Sequence, residues 1–80
     1  MNDAVAGAVP VLMWEVRVAD GRLDELLAWV SANAEASAEV YRSHGPQPRV
    51  VVIGARPLPS PPDGLVARPA HSWPFERIPR

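Results

Sequence analysis

The sequence predicts a small α+β domain, and three stretches of its 80 residues carry that prediction. A strand of period two opens the patterned part, a helix of period 3.6 follows, and a β-branched run precedes an aromatic last strand. Hydrophobic residues make up 48% of the chain, enough apolar surface to drive folding. A chain this short buries only about 60% of the surface its unfolded form exposes, so its core is marginal without support. Cysteine is absent, which excludes disulfides, thiolate zinc sites and cysteine nucleophiles together. Oligomerisation is the support that remains.

Met1–Ala8 is small and weakly patterned and is expected to be a flexible leader, so the folded domain spans residues 9–80. The first strand is expected from Val9 to Val18. There Leu12, Trp14, Val16 and Val18 form an apolar set that should pack on a helix. Val11, Met13, Glu15 and Arg17 form the other set, which begins apolar and ends charged. Asp20 is placed to cap the following helix, with Asp24 and Glu25 near its positive end. Leu23, Leu26, Leu27, Val30 and Ala34 make one narrow apolar stripe with Leu27 at mid-stripe and Trp29 on its flank. Beyond Asn33 the small residues Ala34 to Ala38 should end the helix. Glu39–Ser43 and Arg49–Ala55 read as the second and third strands. The Gly and two prolines between them make a hairpin loop. Val50-Val51-Val52-Ile53 is the continuous run of a central strand covered on both faces.

Seven of the ten prolines lie beyond Arg56, and residues 56–70 read as a Pro-rich connector. Within it, Ser60 is placed to cap a short helical turn starting at Pro61 and Pro62 and carrying Leu65 and Val66. Ser72–Ile78 should be the last strand, confined to a sheet edge by Pro74. The order β-α-β-β-(short α)-β, with one long helix and a four-stranded antiparallel sheet, is the split-βαβ arrangement of ferredoxin-like folds.

In that order, and in the segment Val11 to Trp29 with its strand, Asp-Gly turn and Leu-rich helix, the chain resembles the dimeric α/β-barrel superfamily. Its best-known members are the antibiotic biosynthesis monooxygenase-like proteins. The resemblance implies a homodimer with the sheets face to face around a cavity and the helices outside. It also implies an apolar or aromatic small-molecule ligand and, in some members, cofactor-free oxidation of that ligand. Pro57–Pro69 stands where such proteins carry most of a second helix, which implies a smaller cavity.

Net charge is −1, and all eight cationic side chains are arginine, as a GC-rich bacterial genome would supply. No basic stripe is present of the kind that releases phosphate counterions, so a nucleic-acid partner is not expected. The longest apolar stretch, Ala4–Trp14, is too short for a bilayer and is broken by Gly7 and Pro10. Asp3 stands where a signal peptide carries cations, so the cytoplasm is the expected location.

The candidate ligand-binding residues are Glu15, Arg17, Tyr41, His71 and Trp73. Glu15 and Arg17 share one strand face about 7 Å apart, where paired charges orient a polar group or move a proton. The competing explanation is a solvated strand end or ion pairs across a dimer interface. Tyr41 is a hydrogen-bond donor for a cavity or a packed residue at the sheet's end. His71 and Trp73 would stand at a pocket rim, whereas His44 lies in a Gly-Pro loop and reads as a solvated turn residue. Trp14, Trp29 and Trp73 suit a core and its edges better than one aromatic cage. Pro59-Ser60-Pro61-Pro62 has PxxP spacing without the basic flanks of a polyproline ligand, and a rigid connector explains it. No cofactor or metal is expected, because the chain lacks a phosphate-cradling glycine loop and its two histidines have no matched carboxylate spacing. The competing functional class is a non-catalytic dimeric scaffold. The face carrying Val11, Met13, Glu15 and Arg17 separates the two.

Overall fold

The computed structural model describes residues 6–80. Its elements are β1 (Val9–Arg17), α1 (Leu23–Asn33), β2 (Glu39–Arg42), β3 (Arg49–Gly54) and β4 (His71–Arg77). Residues 1–5 of the expected leader lie outside the described residues, while Ala6 and Gly7 form a turn that leads towards β1. The strands make one antiparallel sheet in the order β2-β3-β1-β4. The β1-to-β2 connection skips over β3 and the β3-to-β4 connection skips over β1. That double skip is the split-βαβ layout of a ferredoxin-like fold.

The alternation in β1 sorts its side chains as the sequence predicts. Trp14, Val16 and Val18 are buried beneath α1 together with Val50 and Val52 of β3. From the helix, Leu26 and Val30 are wholly buried, and the Trp14 and Trp29 rings meet at 6.2 Å. Full burial of a side chain of this size contributes about 1.5–3 kcal/mol, so this single layer supplies most of the stability available to the chain. Leu27 is only partly buried, so the centre of the stripe is Leu26–Val30 and not Leu27. The cause is Trp29. At about 100° per residue its indole lies on the opposite side of Leu26 from Leu27, and packing it on Trp14 turns the helix that way.

The helix also starts without the expected cap. Arg22 occupies the N-cap position and no side chain caps the first turn. Asp20 is instead the second residue of a tight turn, closed by the Arg22 N–H donating to the Ala19 carbonyl at 3.0 Å. Gly21 takes φ +73 as the third residue of that turn, a conformation glycine adopts without steric cost. Arg22 then braces the first turn by a two-pronged pair with Glu25, at 2.7 and 2.8 Å. These bonds hold the Glu25 carboxyl below its ordinary range. At the far end the helix stops at Asn33, whose side-chain amide donates to the Trp29 carbonyl at 2.8 Å.

The β2–β3 hairpin closes through Ser43, whose N–H donates to the Arg49 carbonyl and whose Oγ accepts from the Arg49 N–H at 2.8 Å. Beyond β3 the expected short second helix does not form. Pro57, Pro59, Pro61 and Pro62 offer no backbone donors, and Gly64, at φ +89, ends the run in a turn. The residues that follow pair with the end of β1. Val66 bridges Val18, the Ala19 N–H donates to the Leu65 carbonyl, and the Ala67 N–H donates to the Arg17 carbonyl. Leu65 is thereby pressed into the core at 6% exposure, so the connector works as a strap. Between strap and sheet a cleft of about 540 Å³ remains, bordered by Trp14, Leu58, Pro61, Ala70 and Ser72. Pro74 lies on β4, the strand at one edge of the sheet, where its missing N–H is tolerated. Among the described residues no helix is long and apolar enough to cross a membrane.

Candidate functional site

The sheet face away from α1 is open, and cross-strand register fixes what it displays, because directly opposed residues share a face. One transverse row is Tyr41, Val51, Glu15 and His71, reading from β2 to β4. The next row is Glu39, Ile53, Met13 and Trp73, and beyond it Val11 faces Phe75 and Val9 faces Arg77. On the other side of the Glu15 row, Arg17 stands directly opposite Arg49. The middle of this face is therefore apolar and one end is rich in arginine. Val51 and Ile53 lie uncovered in the chain by itself, so β3 is covered on one face and not on both. Trp73 is 40% exposed, Phe75 50% and Val9 41%, values that belong to no finished core.

All five residues singled out from the sequence lie on this face. Glu15, Arg17 and His71 also line one small cavity of about 140 Å³ at the arginine-rich end, together with Arg49 and Arg68. Trp73 adjoins it, with its ring stacked on the His71 imidazole at 5.7 Å and 20°. Tyr41 stands apart. It shares the Glu15 row but lies two strands away on the edge strand, where its hydroxyl donates to Glu39 at 3.1 Å. That bond to a carboxylate favours the protonated phenol and raises the Tyr41 pKa above the ordinary tyrosine range. The three tryptophans do not meet in one cage, since Trp14 and Trp29 pair beneath the sheet and Trp73 stands on its other side.

Two members of the cavity escaped the sequence reading. Arg49 binds the Glu15 carboxylate at 3.3 Å. Its place was implicit in the period-two spacing of Arg49, Val51 and Ile53, but only the β1–β3 register brings it opposite Arg17. Arg68 lies on the strap and reaches the cavity through the pairing of residues 65–67 with the end of β1, for which no local pattern exists. A larger groove of about 660 Å³ opens at the far end of the sheet, where Val9, Val11, Ile53 and Phe75 give its apolar walls. Chemically, the face offers a flat apolar surface with aromatic rings at one edge, and at the other end three arginines lining one small cavity, of which Arg49 pairs with the Glu15 carboxylate. Set against protein families, characterised proteins and solved structures, the chain shows no significant match to any of them.

Proposed function

We propose that the chain works in the cytoplasm as a homodimer whose open sheet faces pack together around an apolar or aromatic small molecule. The observation that carries this is the row structure of the outer face, where Val11, Met13, Val51, Ile53, Trp73 and Phe75 lie side by side without a covering layer. Contiguous apolar patches of this kind mark association or ligand-binding surfaces.

A second copy is the occupant that needs no further component, and it supplies the support that a core of this size lacks. The resemblance to monooxygenase-like proteins makes cofactor-free oxidation of a bound aromatic the reaction to assay first. Sedimentation at low micromolar concentration tests the dimer, and calorimetry with small aromatic alcohols tests the cavity between the sheets. A stable dimer that takes up such molecules supports the proposal. A dimer that binds none of them is a scaffold, and a monomer throughout this range overturns both.

A further inference from the structure

From the arginine-rich end of the open face we infer that its ligand is an organic monoanion, with a carboxylate head held by Arg17, Arg49 and Arg68 and an apolar body laid along the sheet. The inference rests on the outer face being a ligand site and adds the chemical class of what binds there. Arg17 and Arg49 are directly opposed on neighbouring strands and share a face. Like charges in that position destabilise a sheet, so the arrangement works against folding unless an anion sits between them. Arg68 is a third arginine lining the same cavity. Glu15 answers only part of this charge, through one contact to Arg49 at 3.3 Å. Arg17 and Arg68 have no ion-pair partner among the described residues.

Three guanidiniums against one carboxylate leave an excess of two positive charges, and His71 at the border adds a ring edge without requiring charge. Guanidinium forks match a carboxylate in two-pronged geometry, and the resident Glu15 disfavours a more highly charged head. Size sets where the rest of the ligand goes. The cavity of about 140 Å³ is far below the roughly 300–1,000 Å³ of sites that enclose a whole drug-sized ligand. It therefore holds a head group only. From Glu15 the adjoining row leads directly onto Met13, Ile53 and Trp73, an apolar track for the body.

The test compares phenylbutyrate with phenylbutanol, which share a body and differ in the head, by calorimetry on the full chain. Charge-assisted hydrogen bonds predict that wild type binds the acid about tenfold more tightly than the alcohol. Arg17→Gln and Arg68→Gln should each remove most of that preference and leave the affinity for the alcohol unchanged. Arg68 lies on the strap and not on a strand, so its variant keeps the test valid if Arg17→Gln folds poorly. Sedimentation of both variants accompanies the titrations. Equal affinity for acid and alcohol, insensitive to either substitution, overturns the anionic head while the apolar site stands. Binding of neither probe overturns the site itself. Loss of the dimer in Arg17→Gln without any acid preference in wild type assigns the arginines to the subunit interface and overturns the inference.

Discussion

The two faces of the sheet were built from the same strands by the same alternation, yet they differ in what finishes them. Beneath α1, Trp14, Val16, Val50 and Val52 meet Leu26, Val30 and Leu65, and this cluster is closed within the chain itself. On the other face, Met13, Val51, Ile53, Trp73 and Phe75 are placed in register just as regularly and have no covering layer. Alternation decides which face a side chain joins, but the presence of a covering layer decides whether that face becomes a core or stays open. The difference predicts that substitutions on the inner face act on folding, and that substitutions on the outer face act on association and binding.

The largest effect should come from the inner face. Leu26→Ala removes a wholly buried side chain and should cost about 2–5 kcal/mol, a large share of what a small domain has. At roughly 4–8 °C per kcal/mol for a chain of this size, thermal melting followed by circular dichroism resolves it easily. Leu27→Ala, at a half-buried position, should shift the melt by clearly less. Equal shifts would mean that the helix is turned the other way.

On the outer face, Phe75→Asp should weaken self-association by about 2 kcal/mol or more, as loss of a buried aromatic anchor does. The near-ultraviolet signal of the Trp14–Trp29 pair should persist, because that pair lies on the other side of the sheet. A collapse of this signal together with the dimer would show that the two faces are not independent.

How far the sequence reveals these faces follows from particular residues. Leu12 to Val18 disclosed both sides of β1, because alternation along one strand is a local property. Pro74 marked an edge strand for the same reason, through its missing donor. Asp20 has the propensity of a cap but does not serve as one, because Gly21 permits a tight turn that delays the helix, and propensity alone does not choose between those conformations. The prolines of the strap also suit a helical turn, since Pro is tolerated in a first turn. Gly64 and the pairing of Val66 with Val18 outweighed that. Of the candidate site, Glu15 and Arg17 were legible from spacing, whereas Arg49 and Arg68 arrive through register and tertiary pairing.

A smaller effect concerns the edge of the outer face. The only tyrosine should titrate above the ordinary range in an absorbance titration, since its hydroxyl donates to the Glu39 carboxylate. With the folded pKa raised, the associated stability is present at neutral pH and is lost as pH rises through the folded value. The contribution is small because the pair is exposed. Glu39→Gln should return the midpoint to the ordinary range, and an unchanged midpoint would show that the bond does not persist in solution.

The claim that the outer face is covered by a second copy is tested most directly by hydroxyl-radical footprinting across a range of protein concentrations. Met13, Trp73 and Phe75 should lose reactivity as concentration rises through the dimerisation range, while Trp14 and Trp29 stay equally protected throughout. Constant reactivity of the three outer residues at every concentration, or protection confined to Tyr41 on the β2 edge, would contradict the account.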